Sequence, residues 1–537
     1  MSESPRQGAA SKQNTPQVKP PGLLKSSLLV GCMTMLSRVL GLCRDIVFAI
    51  TIGASANADA FFVAFKVPQF LRRLFAEGAF SQAFVPVLSQ YRTQKSIEEV
   101  KRLVNCVAGC LGFVLVLTCA IAVLGAPVLT MVFAPGYIDE PENFALTSQL
   151  LRITFPYLLL ISLTGFAGAI LNSYSRFVVP AFTPVLLNVS LISGALFFRD
   201  YFPDPVFAIA WAVIVAGILQ LALQLPFLSR LGLMPRPTVY WQHEGVQRVM
   251  RLMVPALFGV SVSQINLALD TVLATALPKG SVSWLFYSDR LAELPLGVFG
   301  VAIATVILPA LSRQHSGEGD SNFSATLDWS IRMVLLIAVP ATLALLVLAE
   351  PLLMTMTLFE FGKMTVQDVT MASYSLKAYA LGLLAFMLIK VLATGYYAQQ
   401  DMKTPVRIAV RAMIVNMFLN LLFVLPLYFY FNIGHVGLAL ATAVAAYYNA
   451  GALLTGLLKK SVLQWQPGFM LVCVRMCVAA ALMTAALIAT RGDHALWLEL
   501  SSVERATRSL VLAGGGVLLY LALLGLFGGR LRHFRRQ

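Results

Sequence analysis

Charged residues are scarce in this sequence, and that scarcity limits the kind of protein that it encodes. Asp, Glu, Lys and Arg supply 12% of the 537 residues, whereas hydrophobic residues supply 58% and the mean hydropathy is +0.78. No segment alternates polar and apolar residues as a membrane-spanning β-strand would. Apolar stretches long enough to cross about 30 Å of hydrocarbon recur from residue 24 to residue 528. The sequence therefore predicts an all-α integral membrane protein with about fourteen transmembrane helices.

The residues and motifs of catalysis are also few. The histidines fall in loops or at helix ends, so we expect none to act as a base inside the membrane; they are His243, His315, His435, His494 and His533. The sequence has no Gly-x-x-x-x-Gly-Lys-Ser/Thr motif for nucleotide phosphates. We therefore expect neither an enzyme nor an ATP-driven pump, and no organic cofactor.

Basic residues are concentrated at alternate helix ends, and this distribution predicts the orientation in the membrane. Lys and Arg outnumber Asp and Glu by 40 to 25, which gives a net charge of +15. The turns at residues 53–58 and 134–143 carry almost no basic residues, whereas residues 92–102 and 230–251 carry many. The positive-inside rule then places both termini in the cytoplasm. Because the basic residues flank membrane spans, we expect no nucleic-acid partner.

The two halves of the chain resemble each other at a spacing of roughly 220–230 residues, which indicates an internal duplication. Residues 85–89 are echoed by residues 308–312, and the helix pair around Asn188 resembles the pair around Asn416. Each unit holds an even number of helices, about six. The two units therefore insert with the same orientation, as pseudo-symmetric lobes around a central cavity.

This duplication defines the expected domain organisation. Residues 1–22 are polar and form a disordered cytoplasmic tail. Residues 23–232 form the N-lobe and residues 240–462 form the C-lobe. Residues 466–529 supply two additional helices outside the repeat, and residues 530–537 form a basic cytoplasmic tail.

The few charges inside apolar segments cluster in the first two spans and in the eighth. A charge at the centre of a membrane helix costs about 2.5–3.5 kcal/mol on insertion scales, so a cluster requires a function. Asp59, Lys66, Arg73 and Glu77 are spaced by seven, seven and four residues and therefore share one helix face. The candidate substrate-binding residues are Arg38, Arg44, Asp45, Asp59, Lys66, Arg72, Arg73, Glu77, Asp289, Arg290 and Glu293.

Arginine dominates this set, which favours an anionic ligand in a wet cavity between the lobes. The planar guanidinium group binds phosphate oxygens bidentately and stays charged in any environment. The alternative is that the charges pair with one another and hold helices together. Guanidinium groups that converge on a shared aqueous pocket would favour the anion site.

A second candidate constellation lies in the C-lobe. Asp270 interrupts an apolar helix, Asn416 and Asn420 are four residues apart on another helix, and Thr442 lies on the next. A carboxylate with amide and hydroxyl oxygens suits a hard monovalent cation such as sodium. For the asparagines we favour the alternative, interhelical hydrogen bonding, which contributes about 0.6 kcal/mol per bond.

Several motifs resemble those of the MurJ (MviN) lipid II flippases. They are residues 37–45, 59–66, 71–80, 280–290 and 401–405. The resemblance extends over nearly the whole chain from about residue 23. It implies a multi-pass protein of the bacterial cytoplasmic (inner) membrane that belongs to the multidrug/oligosaccharidyl-lipid/polysaccharide (MOP) exporter superfamily.

The resemblance also implies a function. Such a protein moves undecaprenyl-diphosphate-linked peptidoglycan precursor, lipid II, from the inner to the outer leaflet by alternating access. The family's functional positions fall on Arg38, Arg44, Asp59, Arg72, Glu77 and Arg290, and its sodium positions fall on the Asp270 constellation. The two additional helices would hold the lipid tail, and a sodium or proton gradient or the membrane potential would drive transport. Expected partners are membrane lipids and other cell-wall synthesis proteins, and the expected state is a monomer.

Three other functions stay open. A multidrug exporter of the same superfamily should have an acidic or aromatic cavity for organic cations, which the arginine excess opposes. A flippase for another polyprenyl-diphosphate oligosaccharide would use the same arginines. A structural membrane subunit would use the charges only to bind its partners.

Overall fold

The computed structural model describes residues 23–73, 80–297, 307, 311 and 320–528. Every regular element within these residues is helical, as the hydropathy predicts. The predicted tails at 1–22 and 530–537 lie outside the described residues. Glu77 and most of residues 308–312, the segment that resembles residues 85–89, also lie outside them.

Side-chain caps begin several helices of the first half. Ser55 accepts a hydrogen bond from the backbone N–H of Ala58 at 3.2 Å, and Ser96 forms a capping box with Glu99. The helices of this half are α1 (Leu23–Thr51), α2 (Ala56–Leu71), α3 (Ser81–Gln94), α4 (Ile97–Leu124), α5 (Ala126–Phe133), α6 (Pro141–Thr154), α7 (Tyr157–Ser173), α8 (Val178–Phe197) and α9 (Pro205–Arg230).

The second half uses the same type of helix start. Thr365 forms a capping box with Asp368, and Ser501 forms one with Glu504. The helices of this half are α10 (Glu244–Thr275), α11 (Ser281–Pro295), α12 (Asp320–Thr357), α13 (Val366–Ala398), α14 (Lys403–Phe431), α15 (Gly434–Lys459), α16 (Phe469–Arg491), α17 (His494–Glu499) and α18 (Ser502–Leu526).

Ten helical segments among the described residues are long and apolar enough to cross a membrane. Helices α6 and α7 count as one of them, over residues 141–173. Helices α2 and α11 are not among the ten because they are short, at 16 and 15 residues. These two helices carry five of the candidate charges, Asp59, Lys66, Asp289, Arg290 and Glu293. The count of about fourteen spans stays a prediction.

The helices pack as two groups with matching internal contacts. In the first group α9 packs against α7 and α8, and α8 also packs against α1. In the second group α15 packs against α13 and α14, and α14 also packs against α10. Two copies of one unit would produce this correspondence, so it supports the duplication. The lobe boundaries stay predictions.

The helices outside the repeat are anchored to α12. Helices α16 and α18 pack against each other and against α12. On α12, Arg332 donates hydrogen bonds to Oδ2 of Asp328 at 2.6 Å and to the backbone oxygen of Gln466 at 3.2 Å. At the other end of α12, the hydroxyl oxygens of Thr355 and Ser509 are 2.7 Å apart. The lipid-tail groove at residues 466–529 stays a prediction.

The 401–405 motif is the start of a helix. Thr404 donates to the Asp401 carboxylate from Oγ1 at 2.7 Å and from its backbone N–H at 3.0 Å. These bonds, together with the Lys460 ammonium, lower the pKa of Asp401 to about 2. Asp401 therefore stays ionised at neutral pH and stabilises the N-terminus of α14.

Candidate functional site

The two lobes are joined at one end of the bundle, which holds residues 50–59 and 274–284. The charge pattern predicts that this end faces away from the cytoplasm, and it is called the outer end. The backbone N–H of Gly280 donates to Oδ2 of Asp59 at 2.7 Å, and Ser283 donates to Oδ1 from its backbone, at 2.8 Å, and from its hydroxyl. Asp59 is only 3% exposed. A carboxylate of the N-lobe thus caps the N-terminus of α11 in the C-lobe.

Two further contacts close the outer end. The hydroxyl of Tyr287 donates to the backbone oxygen of Gly53 at 3.1 Å. The backbone N–H of Lys363 donates to the backbone oxygen of Ile50 at 3.2 Å. Each bond joins the N-lobe to the C-lobe, so this conformation is closed at its outer end.

Gly136 allows the lobes to approach each other here. Its backbone N–H donates to Oγ1 of Thr275 at 3.4 Å, and a β-carbon at Gly136 would overlap the carbonyl group of Thr275. Gly136→Ala is therefore expected to separate the lobes at the outer end. A cysteine introduced at the buried Ala274 should then react several times faster with a membrane-impermeant maleimide.

Gly451→Ala is the matched control for this prediction, because no atom lies within 4 Å of a β-carbon built at Gly451. It should leave the labelling rate of the cysteine at Ala274 unchanged. Equal rates in the Gly136→Ala and Gly451→Ala proteins would contradict the tight outer contact.

A pocket lies between α2, α10 and α11, and about 880 Å³ of space is free of protein atoms there, including the open solvent at its mouth. Its charged lining residues are Lys66, Arg73, Asp289, Arg290 and Glu293. Three cations and two carboxylates give a net charge of +1. The remaining wall is largely aromatic, with Phe62, Phe65, Phe70, Phe133 and Phe286, and Gln69 and Gln264 add amide groups. Five of the predicted substrate-binding residues therefore converge on one pocket.

Arg290 is fixed at the wall of this pocket. Its Nε lies 3.7 Å from Oδ2 of Asp45, and its Nη1 lies 3.4 Å from Oε2 of Glu293. The guanidinium group also lies over the ring of Phe286, 4.9 Å from the centroid. The side chain nevertheless stays 33% exposed. Arg290 is thus oriented by its neighbours and still available to a ligand.

Arg44 and Asp45 lie behind Arg290 and are buried. Arg44 donates to Oδ1 of Asp45 from Nε at 2.9 Å and from Nη2 at 2.7 Å, and to Oδ1 of Asn188 from Nη1 at 3.1 Å. Arg44 is 8% exposed and does not line the pocket. Its contact with Asn188 joins α1 to α8. In the sequence Asn188 is apparent only as part of the repeat, although an amide in an apolar helix indicates a buried polar partner.

The other predicted substrate residues lie in different places. Asp59 shares a helix face with Lys66 but not its pocket: it caps α11 at the outer end and does not line the pocket of Lys66 and Arg73. Arg38 lies with its guanidinium against Gly297, and Arg72 is half-buried at the end of α2. Helical periodicity aligned Asp59 with Lys66, but seven residues separate them by about 10 Å along the axis.

The predicted cation residues come together. Asn420 donates from Nδ2 to Oδ1 of Asp270 and to Oδ1 of Asn416, both at 3.1 Å. Thr442 donates to Oδ2 of Asp270 at 3.1 Å and accepts from Nδ2 of Asn416 at 3.3 Å. Asn420 is 1% exposed, and its Oδ1 accepts no hydrogen bond. This set is called the Asp270 cluster.

The Asp270 cluster corresponds to the Arg44 contacts in the other lobe. Asp45 and Asp270 are 225 residues apart, and Asn188 and Asn416 are 228 residues apart, which are spacings of the repeat. In the N-lobe the Arg44 guanidinium joins the carboxylate to the amide. Among the described residues, Asp270 forms no ion pair. The C-lobe cluster therefore has the carboxylate and the amides but lacks the internal cation.

His435 lies at a helix end, as the sequence predicts. It is the second residue of α15, but its side chain is fully buried, 4.8 Å from the ring of Trp284. Its Nε2 lies 3.1 Å from the backbone oxygen of Met371. His435 is buried although it lies near a helix end, because the start of α15 packs against α11 and α13.

Comparison with known proteins identifies the relatives of this chain. The sequence model of the family described as "Lipid II flippase MurJ" matches residues 48–506 of the chain. The chain belongs to the MurJ family. A Vibrio cholerae relative named "Probable lipid II flippase MurJ" is 48% identical, over 96% of this chain and 98% of its own. "Lipid II flippase MurJ" of Burkholderia cenocepacia is 42% identical, over 96% and 99%.

Solved structures agree with membership in the MurJ family. A structure of "Lipid II flippase MurJ, inward closed conformation" aligns with a TM-score of 0.78 at 27% identity, over 93% of this chain and 98% of its own. An inward-facing multidrug resistance MATE transporter of the MOP superfamily aligns with a TM-score of 0.63 at 12% identity, over 81% and 98%. The second match shows the fold alone. The predicted all-α exporter fold is confirmed.

Proposed function

We propose that this MurJ family member moves lipid II from the inner to the outer leaflet of the cytoplasmic membrane for peptidoglycan synthesis. The observation that carries the proposal is the Arg290 guanidinium, which is 33% exposed in a pocket that also contains Lys66 and Arg73. Relatives named lipid II flippases that align over 96% of the chain support the same activity.

The pocket has the chemistry to hold a diphosphate. A guanidinium group donates two parallel hydrogen bonds to phosphate oxygens, and the Lys66 ammonium adds a compact positive charge. Asp289 and Glu293 reduce the net charge of the pocket to +1, which allows the anion to leave again. A pocket for an organic cation would need a net negative charge, so these residues favour a diphosphate over a cationic drug.

Transport requires alternate opening of the two ends of the bundle. The outer end is closed here by Asp59 and its bonds to α11. The substrate enters while this end is closed, its diphosphate binds beside Arg290, and breaking the Asp59 contacts releases it outwards. The lipid tail stays in the bilayer along α16 and α18. No covalent bond is made or broken, so the protein acts as a secondary transporter and not as an enzyme.

A sodium ion in the Asp270 cluster would couple this movement to an ion gradient. The residues fit such an ion because Asn420 Oδ1 is buried without a hydrogen bond and Asp270 lacks the guanidinium that Asp45 has. Asp270, Asn416, Asn420 and Thr442 would hold the ion through oxygen atoms. Bound there, it would neutralise the carboxylate. A proton gradient or the membrane potential is the alternative energy source.

The proposed setting follows from the same features. The protein spans the bacterial inner membrane several times, with both termini in the cytoplasm as the basic residues predict. It acts as a monomer in contact with membrane lipids and other cell-wall synthesis proteins. It binds no nucleic acid.

Binding of purified protein to lipid II tests the proposal. We expect lipid II to bind at least tenfold more tightly than a polyprenol that carries no phosphate, because the pocket recognises the diphosphate. Binding should be measured in lipid nanodiscs by microscale thermophoresis. An undecaprenyl diphosphate that carries an unrelated oligosaccharide is the control for the rival flippase. Equal binding of the phosphate-free lipid would contradict the anion pocket, and tighter binding of the unrelated oligosaccharide would reassign the substrate.

A further inference from the structure

Lys66 makes a hydrogen bond from one lobe to the other inside the pocket. Its Nζ donates to Oγ1 of Thr271 at 3.0 Å. Lys66 lies on α2 of the N-lobe, and Thr271 lies on α10 of the C-lobe. Unlike the contacts of Asp59, this bond is formed by a side chain that also faces the pocket. The ammonium group can therefore exchange Thr271 for a bound anion.

Thr271 places this bond next to the Asp270 cluster. It follows Asp270 directly in the chain, and the Asp270 carboxylate is held by Asn420 and Thr442 at 3.1 Å each. Asp270 and Asp289 both attract the Lys66 ammonium, whereas Arg290 and Arg73 repel it. The Lys66 ammonium is thus subject to the charge of the Asp270 cluster on one side and to the charges of the pocket on the other.

We propose that Lys66 couples the two sites by alternating between Thr271 and the substrate diphosphate. The proposal rests on the function proposed above, since it needs a diphosphate in the pocket. With Asp270 charged and no cation bound, Lys66 stays near Thr271 and keeps α2 against α10. A cation that neutralises Asp270 weakens this attraction, and the ammonium group turns towards the diphosphate.

Two consequences follow from the exchange. Cation and diphosphate strengthen each other's binding, because coupling between two sites is reciprocal. Diphosphate binding also breaks the bond between α2 and α10, which loosens the contact between the lobes. Lys66 is therefore a positioning residue for the conformational change as well as a ligand of the anion.

Affinity for undecaprenyl diphosphate, with sodium chloride or choline chloride at equal ionic strength, tests the coupling. In the unchanged protein, sodium should increase the affinity about fivefold. Thr271→Val keeps the Lys66 charge but removes its partner, so it should increase the affinity in choline about threefold and reduce the sodium effect to less than about twofold. Lys66→Gln should lower the affinity in both salts and abolish the sodium effect. Lys66→Arg should recover part of the affinity and part of the sodium effect.

Lys377→Gln is the matched control. It removes another lysine of a membrane helix, whose ammonium lies 5.5 Å from the ring centroid of Tyr374, and it should change neither affinity nor sodium response. An unchanged sodium response in Thr271→Val, or no sodium response in the parent chain, overturns the coupling. If the parent chain still binds undecaprenyl diphosphate more tightly than undecaprenol, the proposed function stands. Failure of the parent chain to prefer undecaprenyl diphosphate over undecaprenol overturns the proposed function itself.

Discussion

Arg290→Ala is expected to abolish lipid II transport while the folded protein stays in the membrane. The substitution lowers the net charge of the pocket from +1 to zero and removes one of its two guanidinium groups. Hydrogen bonds to a charged group contribute about 1.5–3 kcal/mol, so affinity for the diphosphate should fall about tenfold to a hundredfold. Complementation of a bacterium depleted of its own lipid II flippase measures the transport, and an immunoblot of membranes measures the protein.

Arg290→Lys is the conservative control for this prediction. It keeps the charge but loses the planar fork, and we expect partial complementation. Normal growth with Arg290→Ala at ordinary protein levels would remove the basis of the diphosphate pocket. Loss of the protein from the membrane would instead indicate that Arg290 is needed for folding.

Arg44→Ala should behave differently because Arg44 is buried. Its loss leaves the Asp45 carboxylate, which is 2% exposed, with the Arg290 guanidinium at 3.7 Å as its cationic partner among the described residues. Removing one partner of a buried ion pair costs about 3–5 kcal/mol, so a lower melting temperature in detergent is expected. Adding Asp45→Asn should recover much of that stability. We therefore expect Arg290 to contribute to substrate binding and Arg44 to contribute to the stability of the fold.

Asp59→Ala is expected to open the outer end. The substitution removes the acceptor of three hydrogen bonds from Gly280 and Ser283 and exposes the N-terminus of α11 without a cap. Several kcal/mol of stabilisation are lost from the closed state alone, which is enough to shift its population more than about tenfold. Spin labels at Asp139 in the N-lobe and Glu360 in the C-lobe should show a longer distance.

Asp204→Ala is the matched control for the Asp59 prediction. Asp204 is also a carboxylate near this end, but it caps α9 at 2.9 Å and bonds Asn57 within the N-lobe. Its loss should leave the distance between the labels unchanged. Asp59→Asn keeps an acceptor oxygen and should give an intermediate distance. An unchanged distance between the two labels in Asp59→Ala would show that the other contacts at the outer end suffice to hold the lobes together.

The sequence by itself determined the class of the protein and the location of its charges. Hydropathy alone predicts the helices, because a bilayer requires long apolar segments with satisfied backbone groups. The cost of a charge in such segments points to Arg290 and Lys66 without any knowledge of their partners. The repeat spacing predicts two related lobes.

Only the tertiary structure decided which of these charges act together. Asp59 and Lys66 lie on one helix face, yet one caps α11 and the other lines the pocket. The Arg44–Asn188 contact spans 144 residues, and the Lys66–Thr271 contact spans 205. Helical periodicity fixes the direction of a side chain within its own helix, but its partner depends on how the lobes pack. For that reason the sequence located the charges, whereas the packing of the lobes assigned each charge to a contact.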